Sequence, residues 1–402
     1  MHGPQSRTGD GRKLSGRDST YSRRVEIAAL ALNFIGPSTF LVLPALVEGT
    51  VHTLAFSDRQ VGLMSSVLSC GTLVSALSSG AWVRRVSWTR VALFALIGLV
   101  ASDSLALVFH SLPVFLVLQG LVGFFGGCLG CLAMTILSDS RDPARSFGLA
   151  MAVQVTYQFA GILAGPKLLA WAGVNGVLAM LAVLAGLALP LVPLLPSRGR
   201  EVISTGVAAA LARPATLLAL SGCMMFFVNV GAYWTYVEII GRDHALSVEF
   251  IANAIAGGVF AGIPGGLVAM LFGDRLGRIW PLAIAALLTA VSVLLLRGSP
   301  GAAVFVVSSV LYNFAWNYSL PYQLAAVNSV DASGRAVAIA GAFYMGGASS
   351  GAAVAGLLVG PHDYGAVIWL VTVTVLLSTT LFAVSTVAHR RGGALVNGGA
   401  IE

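Results

Sequence analysis

Charged residues are scarce in this sequence. Asp, Glu, Lys and Arg together supply 10% of its 402 residues, where a soluble domain carries roughly 25%. That excludes the two or three water-facing domains that a chain of this length would otherwise form. Lysine is almost missing: among 23 basic residues only Lys13 and Lys167 are lysine. The resulting bias to Arg, Ala and Gly points to a GC-rich bacterial genome. The net charge of +7 does not draw a nucleic-acid-binding surface. The basic residues fall in short clusters between apolar runs rather than along one face, so nucleic acid is not an expected partner.

Catalytic machinery is missing as well. There is no Walker loop, hence no sign of ATP drive. No metal-ligand spacing and no nucleophile–base pairing can be found, so neither a metal, a cofactor nor an enzyme activity is expected. Cysteine is limited to Cys70, Cys128, Cys131 and Cys223, all inside apolar runs. Cys128-Leu-Gly-Cys131 has C-x-x-C spacing. With Gly120, Gly123, Gly126, Gly127 and Gly130 around it, it reads as part of a close-packed membrane helix.

What the sequence does have is hydrophobic length: 57% of its residues are hydrophobic. A spanning helix needs about 20 apolar residues. Such runs fall near 25–47, 60–82, 91–110, 114–137, 147–170 and 175–195, then near 215–239, 250–272, 280–296, 302–327, 336–359 and 366–388. The expected fold class is an all-α integral membrane protein, with twelve transmembrane helices in two pseudo-symmetric six-helix bundles. The expected divisions are a disordered basic cytoplasmic tail over 1–24, an N-terminal bundle over 25–195 and a cytoplasmic linker over 196–213. A C-terminal bundle over 214–388 and a cytoplasmic tail over 389–402 complete the chain. With the N-terminus inside, nineteen of the 23 basic residues fall on the inner side; Arg59, Lys167, Arg242 and Arg297 fall on the outer. By the positive-inside rule this sets both termini in the cytoplasm of a multi-pass inner (plasma) membrane protein, expected to work as a monomer within the lipid bilayer.

The chain also repeats itself. Shifted by 190 residues, Val47-Glu48 falls on Val237-Glu238, Ser57 on Ser247, Ala144-Arg145 on Gly334-Arg335, and Gly161 on Gly351. One ungapped offset across these landmarks indicates a duplicated six-helix unit.

Matched loops carry the most specific pattern. Between runs 8 and 9 stands Asp274-Arg275-Leu276-Gly277-Arg278. Gly277 makes a tight turn, the acid can cap a helix N-terminus, and the arginines anchor at the inner lipid surface. This loop resembles the G-x-x-x-D-R-x-G-R signature of the major facilitator superfamily, with Met270 in place of the first Gly. In the equivalent loop after run 2, Gly80 keeps that first Gly and Arg84 takes the Asp position. Gly161-Ile-Leu-Ala-Gly165-Pro166 resembles part of the family's G-x-x-x-G-P element, often seen in exporters. Leu118-Gln119-Gly120 is similar to its helix-4 element, with Leu116 where the family has Arg. The resemblance implies a fold of six-plus-six helices, a cavity lined by helices 1, 4, 7 and 10, and helices 2, 5, 8 and 11 at the interface. It also implies that Asp274, Arg275, Gly277 and Arg278 form a gating loop.

Polar residues in otherwise apolar helices are costly unless paired or wetted, so they mark candidate sites. In run 10, Asn313 and Asn317 are four apart beside Trp316. They present either a substrate surface or interhelical packing bonds. Run 7 carries a stripe of Asn229, Tyr233 and Tyr236, with Trp234 and Glu238 on the other side; the sequence leaves open which side looks inward. Asn33 in run 1, Gln119 in run 4, and Gln154, Tyr157 and Gln158 in run 5 complete the substrate-binding candidates. Glu48 and Glu238 stand near outer helix ends, as solvated or gate carboxylates. Asp103, the one acid well inside an apolar run, and Glu238 are the proton-coupling candidates.

The expected function is secondary active transport of a small organic molecule, coupled to protons, by alternating access, with a lean to efflux. Uptake of a small aromatic monocarboxylate is the alternative within transport. A non-transporting membrane receptor or scaffold is the alternative outside it.

Overall fold

The computed structural model describes residues 22–140, 143–197, 211, 213–272, 275, 277, 279–298, 301–331, 335–360 and 363–398. The expected tail up to residue 21, most of the expected linker, and Asp274 and Arg278 of the expected gating loop lie outside the described residues. Among those described, regular structure is helical, with one isolated bridge between Gly360 and Asp363.

The first crossing, α1, comes in three pieces: Arg23–Ile35, Ser38–Leu41 and Leu43–Leu54. Two prolines account for the breaks. Pro37 has no N–H to offer the Asn33 carbonyl, and Pro44 opens the third piece as a first-turn residue. The expected end at residue 47 is corrected: α1 runs to Leu54, so Glu48 sits inside the helix. The remaining N-terminal helices are α2 (Asp58–Trp82), α3 (Trp88–Ala106), α4 (Leu112–Ser138), α5 (Pro143–Ala172) and α6 (Val174–Ala188). A 3₁₀ turn over Leu189–Leu194 extends α6. The second half contains α7 (Pro214–Asp243), α8 (Val248–Phe272), α9 (Ile279–Leu294), α10 (Ala302–Val330), α11 (Arg335–Leu358) and α12 (Gly365–Gly398). The last helix continues beyond the expected boundary at 388.

Seven segments are each long and apolar enough to cross a membrane alone: α2, α3, α4, α6 with its extension, α7, α8 and α12. The others fall short for identifiable reasons. α1 is broken, and α9 is apolar but only 16 residues long. α10 has 29 residues but carries Tyr312, Asn313, Asn317, Tyr318, Tyr322 and Gln323. α5 and α11 are interrupted by Gln, Ser and Gly.

Helix ends sort onto two faces. Ser146 bonds Glu26, the Trp88 N–H bonds the Ser197 carbonyl, and Ser385 bonds the Ala215 carbonyl. These contacts define a terminal face, where the chain enters, passes between halves and leaves. His110 with Asn175, and the Val174 N–H with Thr53, define the opposite face. The two halves pack alike internally. Gly71 and Gly123 bring α2 and α4 into backbone contact, and Gly258, Gly262 and Gly265 do the same for α8 against α10. A Cβ at any of these would strike a main-chain or amide atom of its neighbour, so small residues set the helix spacing. Gly277 adopts φ of +65°, the left-handed turn that its place in the loop requires.

Candidate functional site: the seam between the halves

The halves meet along α2–α11, α5–α8 and the last piece of α1 against α7. Hydrogen bonds and an ion pair join them from the membrane middle to the opposite face. Ser349 donates to the Ser66 carbonyl at 2.9 Å. Higher up, Tyr236 donates to the Asp58 carbonyl at 2.7 Å, and Tyr364 donates to Asp58 Oδ2 at 2.9 Å. At the top, Arg242 Nη1 donates to Glu48 Oε1 at 2.6 Å, and His52 Nε2 lies 2.9 Å from the same oxygen. Phe159 and Phe260 touch across α5 and α8. The molecule is therefore drawn together at the opposite face. At the terminal face Arg84 pairs with Asp139 of its own half at 3.1 Å.

Glu48 was expected at a helix end, where water could solvate it. It is instead 1% exposed, and its charge is met by Arg242 from the other half and His52 from its own helix. Glu238 is 4% exposed in the same cluster. Sequence reasoning missed His52 and Arg242. The signal was present: position 52 maps onto 242 under the 190-residue offset, and each follows its glutamate by four.

α7 is buried on both faces, so neither of its stripes looks at lipid. One stripe meets α10: Tyr312 donates to Asn229 Oδ1 at 2.7 Å, and the Tyr233 and Tyr312 rings stack at 3.4 Å. The other brings Trp234 to Trp316, edge to face at 5.8 Å. The indole N–H groups of both tryptophans are buried without a partner. Asn313 and Asn317 bond the carbonyls of Ser309 and Asn313, one turn back along α10, and their amides lie against Gly258 and Gly262 of α8.

In the N-terminal half, Gln154 Nε2 donates at 3.1 Å to the Asn33 carbonyl. This is the carbonyl that Pro37 leaves without its helical partner, so the side chain repairs the break. Asn33 Nδ2 reaches the Ala150 carbonyl, which ties α1 to α5 in both directions. Tyr157 packs on Phe34, and Gln158 is buried one turn beyond Gln154. Gln119 on α4 and Asp103 on α3 are fully buried, and neither end of the amide nor either carboxyl oxygen has a partner. The structure thus gathers Asn229, Tyr233, Trp234 and Trp316 with Tyr312, and Asn33 with Gln154. Asp103 and Gln119 are held elsewhere in the N-terminal half. Cys128 accepts from Ser75, and the four cysteines are free. No group of His, Cys, Asp and Glu among the described residues is arranged to hold a metal.

The family model of the Major Facilitator Superfamily matches residues 28–220, the first half and the start of α7. The match ends there, so the N-terminal half carries the resemblance to this family. The fold, helices in two bundles, is shared with solved transporter structures along nearly the whole length. The nucleoside transporter NupG has a TM-score of 0.71 at 13% identity, covering 90% of this chain and 98% of that one. A bacterial homolog to the human lysosomal transporter Spinster, in an inward-facing and unoccupied conformation, has a TM-score of 0.65 at 15% identity, covering 92% and 98%. At such identities the likeness is one of fold. No curated protein matches the chain in sequence. The family match and the long apolar helices mark a multi-pass membrane protein.

Proposed function

We propose that the protein is a secondary active transporter of a small organic molecule, coupled to protons and working by alternating access. The observation that carries this reading is the pairing of a closed opposite face with orphaned donors at the α7–α10 contact. Buried N–H groups without partners cost free energy, and Trp234 and Trp316 each keep one. A planar substrate with hydrogen-bond acceptors, lying on the stacked Tyr233 and Tyr312 rings, would satisfy them. NupG, similar in fold, is a nucleoside transporter, and a nucleoside has such a planar, acceptor-bearing part. Asn229, Asn313 and Asn317 supply further amides near this level, and Asn33, Gln154, Tyr157 and Gln158 form the facing wall of the N-terminal half, with Gln119 behind it.

Protons are the proposed coupling ion because the interior holds carboxyls with no cation of their own, Asp103 above all. The charge bias of the loops supports a cytoplasmic terminal face. The Gly161–Pro166 element favours export. Reconstituted protein in liposomes with an imposed pH gradient tests the proposal. Accumulation of a planar, acceptor-bearing solute should follow the gradient and collapse with a protonophore. Transport that ignores both the gradient and the protonophore would remove proton coupling, and no transport of any such solute would remove the substrate class.

A further inference from the structure

The four residues at the top of the seam form two copies of one arrangement. α1 carries Glu48 and His52, and α7 carries Glu238 and Arg242; each cation stands four residues after its acid. In a helix that spacing puts acid and cation on one face, within reach of each other. The third piece of α1 and all of α7 are continuous helix over these positions. By default, then, Arg242 would pair with Glu238 and His52 with Glu48. The structure shows a different pairing. Arg242 has crossed to Glu48 at 2.6 Å, so Glu48 collects both cations, while Glu238 beside it is left with neither.

Charge counting in that pocket has one consequence. Glu48 is balanced. A second negative charge on Glu238, 4% exposed beside Glu48, would have to share the single guanidinium that Glu48 already holds, and that is far costlier than burying a neutral acid. Other ionisable groups nearby are engaged or turned outward. Asp58 on α2 is held by Tyr236 and Tyr364. His244 bonds the Ile240 carbonyl. Lys167 at the end of α5, Arg59 at the start of α2 and Asp243 at the end of α7 are exposed.

We infer that Arg242 is an exchangeable latch: it holds Glu48 across the seam while Glu238 carries a proton, and returns to Glu238 on its own helix when that proton leaves. The inference rests on the transporter reading for its purpose, since a latch matters only if this face opens. Its chemistry rests on the four residues alone. The carboxylic proton of Glu238 passes to water at the opposite face, the guanidinium moves from one carboxylate to the other, and Glu48 is released to solvent with His52. Acid therefore shuts this face and alkali frees it. By linkage, each proton released on opening changes the open-to-closed ratio by up to about tenfold per pH unit.

The test uses the full-length protein in lipid nanodiscs with spin labels at Arg59→Cys and Glu249→Cys, which are exposed on either side of the seam, in a background lacking the native cysteines. The distance distribution is recorded without substrate from pH 5 to pH 9. The longer, open population should grow with pH. Glu238→Gln, a permanently neutral acid, should stay closed throughout. Glu48→Gln should be open even in acid, since Arg242 then has only Glu238 to bind. Opposite shifts from two glutamates in equivalent places cannot come from general loosening, which would move both variants the same way. The latch is refuted if the parent shows no pH dependence, or if Glu238→Gln titrates as the parent does. Should Glu238→Gln fail to fold, Arg242→Gln decides: it must abolish the pH dependence. The measurement needs no substrate, so a latch that titrates in a protein that transports nothing would refute the transport reading alone. Proton-driven transport without a titrating latch would refute only the latch.

Discussion

The tyrosine clamp on α2 gives the sharpest quantitative expectation. Tyr236 and Tyr364 both come from the second half, and both donate to Asp58 at the first turn of α2. Their bonds exist only while the opposite face is closed, so removing a hydroxyl shifts the closed-to-open balance rather than the folding of either half. The two acceptors differ. Tyr364 donates to the Asp58 carboxylate, and a hydrogen bond to a charged group is worth about 1.5–3 kcal/mol. Asp58 is only half-buried, and water replaces the phenol once the face opens, so the lower end applies. Tyr236 donates to a backbone carbonyl, a neutral bond worth about 1 kcal/mol. With about 1.4 kcal/mol per factor of ten, Tyr364→Phe should raise the open population roughly tenfold and Tyr236→Phe roughly fivefold. The double variant should fall short of their product, because both bonds share one residue. Burial, and next the Asp58 carboxylate, push the Tyr364 phenol above its usual range. It therefore remains a donor at every pH the protein tolerates, and the increment from Tyr364→Phe should be the same at pH 6 and pH 8. Spin-label distances across α2 and α8 read the populations, and thermal melting in detergent checks that the halves are intact. An unchanged distance distribution in Tyr364→Phe, or a larger effect from Tyr236→Phe, would refute the reasoning.

Two further outcomes follow from packing and charge. Gly123→Ala puts a Cβ against the Leu68 backbone carbonyl; it should cost about 1–3 kcal/mol or more by overpacking and lower the melting temperature, and an unchanged melt would show that α2 and α4 are not so closely held. Arg84→Asp and Asp139→Arg should each weaken the N-terminal half by about 1 kcal/mol, as expected of a partly exposed pair, and the double exchange should restore most of it. A coupling near zero in the double-mutant cycle would mean that the bidentate pair at 3.1 Å carries no stability.

The membrane made most of the fold legible. A bilayer demands about 20 apolar residues per crossing and rewards basic loops on one side, so the all-helical membrane fold and its helix count could be read from the one-dimensional pattern. The ends could not. A hydropathy run stops at its first charge, which placed the end of α1 before Glu48; the helix continues because Glu48 is neutralised by Arg242, 194 positions away along the chain. The break at Pro37 was visible as a residue but not as a break, since Gln154, which repairs it, comes from another helix. For α7 the question of which stripe faces inward had no single answer: Tyr233 of one stripe stacks on Tyr312 and Trp234 of the other meets Trp316, so both are inside. The amides Asn313 and Asn317 stood out by spacing, but their contact with Gly258 and Gly262 depends on how α8 is rotated, which no local pattern encodes.

The duplication ends where stiffness begins. α7 is one unbroken rod of 30 residues, whereas its sequence equivalent α1 is three links, the last only 12 residues long. A rod passes any tilt at one end to the other, and a jointed chain absorbs it at the joints. The link that bears Glu48 is fastened to α6 at its far end, through Thr53 and the Val174 N–H, and meets the second piece at a break at Val42. Opening on the N-terminal side can therefore be a local hinge of a few turns, while the C-terminal side swings as a whole. The two halves descend from one pattern, yet one behaves as a lever and the other as a door.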